Sequence, residues 1–549
     1  MSFPLLTATA AVPAIGAVAT AAVPAAQRAA AKWTALLFSL ATLVFAAVAL
    51  VRFDPDGSQY QLTESHAWIK DFGVRYELGV DGIGVVLVAL TALLIPFIVL
   101  AGWHDADALE EARPNRRWRP TQGFFALILM VEAMVVMSFE ATDVFLFYVF
   151  FEAMLIPMYF LIGGFGDGAG GGTEEEAAGR RSYAAVKFLL YNLAGGLIML
   201  AAVVGLFAVT NDDLGTGTFS LQQIAEARAA GTLDIATGTE RLLFLGFFFA
   251  FAVKAPLWPL HTWLPNAMGE ATAPVAVLIT AVVDKVGTFA MLRFCLQLFP
   301  EASKWATPVV LVLAVVSILY GALLAVGQRD IKRLVAYASI SHFGFIILGI
   351  FAMTSQGQGG ATLYMVNHGI STAALMLVAG FLISRRGSRL IADYGGVQKV
   401  APVLAGTFLV GGLATLSLPG LAPFISEFLV LVGTFSRYPA LGIVATTGIV
   451  LAALYVLVLY QRTMTGPVKA EVRGMPDLRV RELAVVAPLI ALLIFLGVYP
   501  KPVADIVNPA VDHTLSVVDK KDPAPDHPVT DAGSFSHSPK GDHAPGGAK

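Results

Sequence analysis

The sequence has 549 residues, of which 57% are hydrophobic and only 14% charged, whereas an ordinary soluble domain carries roughly 25% charged residues. This composition excludes a soluble globular protein and indicates a chain embedded in a lipid bilayer. The 36 basic and 39 acidic residues nearly cancel, which argues against nucleic acid or any other polyanion as a partner.

Apolar runs long enough to cross a bilayer recur from the N-terminus to about residue 500. A helix needs roughly 20 apolar residues to span about 30 Å of hydrocarbon, and about fourteen runs meet this requirement. The predicted fold class is therefore all-α integral membrane. The predicted spans are 4–25, 34–51, 80–101, 122–139, 143–163, 184–209, 241–261, 272–299, 305–326, 333–353, 361–384, 403–435, 440–463 and 482–500.

The first run, within residues 1–25, has two interpretations. It is apolar and rich in alanine, as a signal peptide is, but no basic segment precedes it. We therefore expect it to remain as the first helix, with a cleaved signal peptide as the alternative. Residues 1–121 then hold three helices ahead of the remaining spans. The glycine run 166–172 lacks the Gly-Lys-Ser/Thr of a phosphate loop and is interpreted as a flexible connector.

Basic residues concentrate in one alternating set of loops. Cytoplasmic loops carry the excess of lysine and arginine, so we expect these loops in the cytoplasm and both termini on the opposite face. The clustered residues are Arg113, Arg116, Arg117, Arg119, Arg329, Lys332, Arg333, Arg385, Arg386 and Arg389.

Four ionisable residues interrupt the predicted spans, namely Glu152, Lys254, Lys285 and Glu427. Each costs about 2.5–3.5 kcal/mol on insertion scales, so each requires a reason to be there. The structural alternative is a buried salt bridge that ties helices together. Glu132 and Asp284 are further buried acids to which the sequence assigns no role.

The first helix break follows Lys254. Pro256 and Pro259 cannot donate to the carbonyls of Ala252 and Ala255, so the hydrogen-bond ladder opens there. Free backbone at membrane depth requires a wet cavity or a protein cover. The end of the half-helix favours the ammonium form of Lys254 while desolvation disfavours it, which predicts a lysine able to gain and lose a proton.

The second break, Pro419-Gly420-Leu-Ala-Pro423, precedes Glu427. The sequence places this carboxylate in the first turn of a new half-helix, where the helix dipole favours ionisation and burial opposes it. A titratable site is predicted here as well. An acid that merely caps the helix N-terminus is the alternative.

The two breaks indicate a repeat. Spans four to eight (residues 122–299, break near 254–259) and nine to thirteen (residues 305–463, break near 419–423) each have the break in their fourth helix. Five helices per unit invert the second unit relative to the first, as in inverted-repeat transporters. A last helix, 482–500, and a polar disordered tail, 503–549, are predicted to follow.

Three histidines lie in or near the spans: His342, His368 and His261. Imidazole accepts and donates protons near neutral pH, which suits a relay, although a packed neutral histidine is as common. Their placement lacks metal-ligand spacing, and a single cysteine, Cys295, excludes Cys-ligated zinc or iron–sulfur sites. We therefore expect no metal and no cofactor in this chain.

Three long motifs give the chain a family resemblance. The motifs are Val253–Pro265 (VKAPLWPLHTWLP), Asp330–Gly344 (DIKRLVAYASISHFG) and Phe151–Ile162 (FEAMLIPMYFLI). They resemble the antiporter-like proton-conducting subunits of respiratory complex I, a proton-pumping NADH:quinone oxidoreductase, and the likeness covers nearly all of the chain to about residue 500. Glutamate at position 427 and the motif ending Pro-Met-Tyr-Phe-Leu-Ile resemble the M-type subunit rather than the L- or N-type.

The resemblance implies that Glu152 pairs with Lys254, that Lys285 is the central relay and that Glu427 is the terminal proton site. His342 and His368 would then assist transfer between them. It further implies L- and N-type neighbours in a bacterial plasma membrane, with quinone reduction elsewhere in the enzyme as the energy source. The rivals are a subunit of a cation/proton antiporter complex, a structural spacer and, least favoured, a quinone-binding protein.

Overall fold

A computed structural model of the chain describes residues 3–107, 120–166 and 171–524. The first half of the chain contains twelve α-helices among the described residues, and a short β-hairpin, described below, lies between the second and third. These helices are α1 (Leu5–Ala22), α2 (Arg28–Arg52), α3 (Gly82–Ala101), α4 (Pro120–Glu140), α5 (Val144–Ala153), α6 (Leu155–Phe165), α7 (Glu174–Leu214), α8 (Leu221–Ala229), α9 (Thr237–Lys254), α10 (Leu264–Glu270), α11 (Ala273–Val277) and α12 (Lys285–Ala290).

The second half is entirely helical apart from its connecting loops. Two π-helical segments, Leu278–Val283 and Met291–Leu296, flank α12 and complete the span that precedes this half. The later helices are α13 (Pro300–Val326), α14 (Ile331–Ala352), α15 (Ser355–Arg386), α16 (Pro402–Thr415), α17 (Ala422–Arg437), α18 (Pro439–Met464), α19 (Val480–Val498) and α20 (Lys501–Val517).

Among the described residues, twelve helices are long and apolar enough to cross a membrane. The two remaining predicted spans are the broken ones. One is α9, which contains three charged residues, and the other is divided into α16 and α17. The prediction of an all-α membrane protein with about fourteen spans is therefore confirmed, whereas the limits of the two repeats stay a prediction.

The helices that carry Lys285, His342 and His368 form the centre of the bundle. The span Ala273–Leu296 is wholly buried within the chain, and α14 and α15 are nearly so, whereas only one-third of the apolar window of α2 or α18 is buried. The outer helices therefore present apolar side chains on the surface of the chain, and the protein itself surrounds the ionisable groups of the inner helices. α1 packs against α4 and α2 as part of the same bundle.

Two features differ from the sequence predictions. Residues between α2 and α3 form an antiparallel hairpin of β1 (Gln61–Ile69) and β2 (Val74–Val80), which the search for apolar runs did not detect. The tail predicted as disordered from residue 503 begins instead with α20, whose residues Val507, Ala510, Val511, Thr514 and Leu515 are buried. Helical spacing of these small and apolar residues lets α20 pack on α15 and α3 despite its polar composition.

Some predictions fall outside the described residues. The basic cluster 113–119, most of the glycine run 166–172 and the end of the predicted tail, residues 525–549, are among them.

Candidate functional site

Lys254 is the last residue of α9, directly before the first break. The break is held in place because the Trp263 indole donates to the Val253 carbonyl at 2.9 Å. The Lys254 ammonium donates to the Phe151 carbonyl at 2.7 Å and lies 3.8 Å from the centre of the Phe151 ring. A carbonyl dipole and the ring face both favour the ammonium form.

Glu152 lies on α5, next to the residue that Lys254 contacts. Neither carboxylate oxygen of Glu152 has a hydrogen-bond partner among the described residues, although both are buried. The carboxylate occupies the space left by Gly196 of α7, where an added Cβ would lie 1.8 Å from Oε1. Glu152 and Lys254 thus interact electrostatically without a direct hydrogen bond.

Lys285 and Asp284 lie in the wholly buried span, at the junction of a π-helical segment and α12. The Lys285 ammonium donates to the Thr280 carbonyl at 3.1 Å, lies 2.6 Å from His368 Nδ1 and lies 4.2 Å from the Phe343 ring centre. Asp284 is fully buried and interacts electrostatically with both Lys285 and Lys254. Asp284 thus lies within electrostatic range of both lysines without a hydrogen bond to either among the described residues. The sequence alone did not indicate this placement.

From Lys285, a chain of polar side chains leads to Glu427. The His368 and His342 ring centres are 5.3 Å apart. His342 Nδ1 is hydrogen-bonded to the hydroxyl of Tyr364, which in turn donates to Glu427 Oε2 at 3.1 Å. Aligned polar groups of this kind can pass a proton from one to the next.

The sequence analysis missed two residues that contact Glu427, namely Tyr364 and Ser417. Tyr364 precedes His368 by four residues on α15, so helical spacing places both on one face. Ser417 stands in the second break with a φ of 61° and donates its hydroxyl hydrogen to Glu427. Its helical spacing from His368 could have indicated Tyr364, and its position in the second break could have indicated Ser417.

The structure corrects the predicted setting of Glu427. Because α17 begins at Ala422, Glu427 lies in its second turn and not in its first. The helix dipole acts mainly on the first turn. The hydroxyls of Tyr364 and Ser417, and not the helix end, are therefore the main groups that stabilise the carboxylate.

His261 lies apart from the other predicted residues. It is buried in the irregular segment after the first break, and its ring packs edge-on against Tyr320 of α13 at 5.1 Å. The remaining residues form one continuous arrangement, which we call the polar row. The polar row consists of Glu152, Lys254, Asp284, Lys285, His368, His342, Tyr364 and Glu427.

Comparison with known proteins decides the family. The family described as NADH:quinone oxidoreductase/Mrp antiporter, TM, matches residues 141–452. NADH-quinone oxidoreductase subunit M of Mycobacterium tuberculosis (strain ATCC 25618 / H37Rv) is 56% identical over 552 residues, which cover 97% of this chain and 98% of the relative. This chain belongs to the M-type antiporter-like subunits of the NADH:quinone oxidoreductase family.

Solved structures agree with this assignment. A chain of respiratory complex I from Thermus thermophilus superposes on the M-type subunit with a TM-score of 0.80 at 30% identity, covering 93% of this chain and 99% of that one. A chain of the Mrp complex from Dietzia sp. DQ12-45-1b has the same fold, with a TM-score of 0.77 at 23% identity, covering 94% of this chain and 100% of that one. Among the described residues of the M-type subunit, no cluster of three or more His, Cys, Asp or Glu side chains could hold a metal ion.

Proposed function

We propose that this chain is a proton-translocating subunit of NADH:quinone oxidoreductase and that protons move along the polar row. The observation that carries the proposal is the series of contacts from Lys285 through His368, His342 and Tyr364 to Glu427, in which the two imidazole rings pack on each other and the other steps are hydrogen bonds. Each of these groups can hold or pass a proton, and each is buried.

Glu152 is the proposed input to the row. No donor among the described residues holds its carboxylate, which lies in the space left by Gly196, so no hydrogen bond has to break for it to move. Movement of this charge away from Lys254 would favour loss of the lysine proton. A proton crossing a potential of 100 mV costs about 2.3 kcal/mol, and a pKa change of about two units supplies a similar free energy.

The energy source and the partners are further parts of the proposal. The M-type relatives are named as subunits of NADH-quinone oxidoreductase, so other subunits of that enzyme are the proposed partners, with L- and N-type antiporter-like subunits as direct neighbours. Quinone reduction in those other subunits would drive the movement of Glu152. We place the electron carriers there too, since this chain has a single cysteine. A bacterial plasma membrane, with both termini on its non-cytoplasmic face, is the proposed location.

The rival functions are less well supported. A cation/proton antiporter subunit would share this fold, but the Mrp chain is only 23% identical whereas the subunit M relative is 56% identical. Purification of NADH dehydrogenase subunits with the chain separates these two functions. A structural spacer would pair its buried charges, yet neither Glu152 nor Asp284 has a hydrogen-bond partner among the described residues.

The test is Lys254→Met in the assembled enzyme, reconstituted in vesicles with an NADH and quinone assay. We expect proton uptake to be lost while the complex still assembles, because methionine has similar length and no ionisable group. Lys304→Met is the matched control, since Lys304 pairs with Glu301 near the protein surface at 2.5 Å. Full proton pumping by the Lys254 variant would refute the proposed role.

A further inference from the structure

A cavity of about 660 Å³ opens where three loops meet on the face that carries the basic loops. Its volume lies within the range of small-molecule pockets, roughly 300–1,000 Å³. The charged residues that line it are Arg329, Arg462 and Lys469, and no carboxylate lines it among the described residues. We call this feature the basic cavity.

Backbone hydrogen bonds fix the shape of the basic cavity. The amide of Ile391 donates to the Arg329 carbonyl at 2.9 Å, and the amide of Gly396 donates to the Thr465 carbonyl at 2.8 Å. Lys469 is fastened to the same wall, because its ammonium donates to the Ala392 carbonyl. Arg329 and Lys469 therefore lie on loops that are joined to each other, and Arg462 lies in the last turn of α18.

The cations of this cavity lack the acidic partners that their neighbours have. On the same face, Arg385 pairs with Glu482, and Arg389 pairs with Glu270 and Asp330. Within the described ranges, neither Arg329 nor Arg462 forms an ion pair. Guanidinium groups form paired hydrogen bonds with phosphate oxygens, so this arrangement fits a phosphate group.

The position of the cavity indicates where the phosphate comes from. α13 ends at Val326 and α18 ends at Met464, so the cavity lies just beyond the ends of two helices that pack against each other. Leu323, Val326 and Leu457, in the last two turns of these helices, are exposed apolar side chains. If the phosphate belongs to a phospholipid headgroup, the acyl chains of that lipid would lie on this apolar surface.

We propose that the basic cavity binds the phosphate headgroup of an anionic phospholipid, held by Arg329, Arg462 and Lys469. Basic pockets between membrane helices recognise such headgroups, and the acyl chains follow the adjoining helix surface. Binding there would fix the second-half loops 390–396 and 465–469 to the membrane surface. The inference uses only the membrane location of the chain and is independent of the proton relay.

The test compares two double variants of the whole enzyme. Arg329→Gln with Arg462→Gln removes two charges from the cavity, and Lys399→Gln with Arg473→Gln removes two charges from exposed positions on the same face. Each enzyme is delipidated in detergent, incubated with 1-palmitoyl-2-oleoyl phosphatidylglycerol, and its bound lipid counted by native mass spectrometry. We expect the cavity variant to lose one bound lipid per complex relative to the wild type, and the control variant to keep it.

Parallel incubations distinguish the possible ligands. Phosphatidylcholine should not replace phosphatidylglycerol, and inorganic phosphate at the same concentration should not displace it. Equal lipid counts in both double variants would overturn the proposal, as would full displacement by inorganic phosphate, which would indicate a free-anion site. Loss of a neighbouring subunit with an unchanged lipid count would also overturn it and would assign the cavity to an acidic protein segment.

A second measurement keeps the proposal testable if the cavity variant does not assemble. The wild-type enzyme is incubated with phosphatidylglycerol that carries a photoreactive group near its phosphate, and the labelled peptides are identified. Labelling within residues 388–399 or 462–470 supports the site. Labelling confined to other segments of the chain refutes it.

Discussion

At the scale of single residues, the notable feature is the number of buried carboxylates that lack a partner. Glu132, Glu140, Glu152 and Asp284 have no hydrogen-bond partner among the described residues. A buried polar group without a partner costs about 1–3 kcal/mol, and a charged one costs more. Glu152 and Asp284 belong to the polar row, where the proposed exchange of protons would account for this cost. Glu132 and Glu140 lie outside the row, and no contact in the structure explains them.

The space beside Glu152 gives the first prediction. Gly196→Ala would place a Cβ 1.8 Å from Glu152 Oε1, so the carboxylate must move away from its present position. We expect proton pumping to fall to the level of a Glu152→Gln variant, measured as proton uptake by reconstituted vesicles. Gly179→Ala on the same helix is the control, because an added Cβ there meets no atom within 4 Å. Equal pumping by both variants would contradict a role for this space.

The hydroxyl of Tyr364 gives the second prediction. Tyr364→Phe removes the group that joins His342 to Glu427. We expect proton translocation to fall by about tenfold or more, because positioned proton-transfer groups typically contribute roughly 100-fold or more. Assembly should be intact, since only one oxygen is removed.

Tyr455→Phe is the matched control for that experiment. Tyr455 is buried like Tyr364, but its hydroxyl has no hydrogen-bond partner among the described residues. Its loss should leave pumping close to that of the wild type. A similar decrease in the two variants would mean that Tyr364 acts through packing alone.

Site residues could be predicted from the sequence where a charged residue lies in an apolar run, as with Lys285 and Glu427. They could not be predicted where a residue belongs to the site only because of a partner that is distant in the sequence. Tyr364 and Glu427 are 63 positions apart, and Asp284 connects to Lys254 only through the packing of helices. The sequence provided no reason to select Gly196, because its role is to have no side chain where the Glu152 carboxylate lies.

At the scale of elements, proline and glycine determined where the two helices break. Gly420 has a φ of 91° in the second break, a conformation that residues with a side chain rarely adopt. Ser417 adopts a left-handed conformation in the same turn. The break therefore depends on strained backbone as well as on its prolines.

The third prediction concerns this turn. Gly420→Ala meets no atom within 4 Å, so its cost is conformational and amounts to about 1–2 kcal/mol. We expect a lower melting temperature of the purified enzyme in detergent. Gly406→Ala, which lies inside α16 and also meets no atom, should leave the melting temperature unchanged or raise it, since alanine favours helix. A melting temperature that is higher for Gly420→Ala than for Gly406→Ala would refute backbone strain at the second break.

The elements also differ in how far the sequence predicts them. Long apolar helices such as α13 and α18 were predicted closely, because bilayer thickness fixes their length. The hairpin and α20 were not, since neither has a long apolar run and both are stabilised by contacts with other helices. α20 alternates prolines and charges with a few small apolar residues, and only its neighbours show which face is buried.

At the scale of the whole molecule, an ion-pair cluster joins the two halves of the chain. The Arg389 guanidinium contacts Glu270 of α10 at 2.7 Å and Asp330, the residue before α14, at 2.7 Å. All three side chains are buried. Arg389 was predicted from the sequence to lie in a cytoplasmic loop, whereas the structure shows that it also joins the two halves of the chain.

The fourth prediction tests this ion-pair cluster. Arg389→Gln removes the cation that two buried carboxylates share and leaves only Arg180, at 3.7 Å, beside Glu270. Loss of one partner of a buried ion pair costs about 3–5 kcal/mol, so the melting temperature should fall markedly. Arg386→Gln in the same segment is the control, because Arg386 forms no ion pair within the described ranges. Its effect should stay within about 0.5 kcal/mol. Similar melting temperatures for both variants would show that the cluster does not hold the halves together.

The order of signs along the polar row has a consequence for how many protons it can store. Carboxylate and ammonium groups alternate from Glu152 through Lys254, Asp284 and Lys285 to Glu427. When all are ionised, three anions face two cations, so a single added proton makes the row electroneutral. A second would leave an uncompensated positive charge in a nonpolar medium, at a cost of several kcal/mol. The row is thus suited to be filled and emptied by one proton at a time.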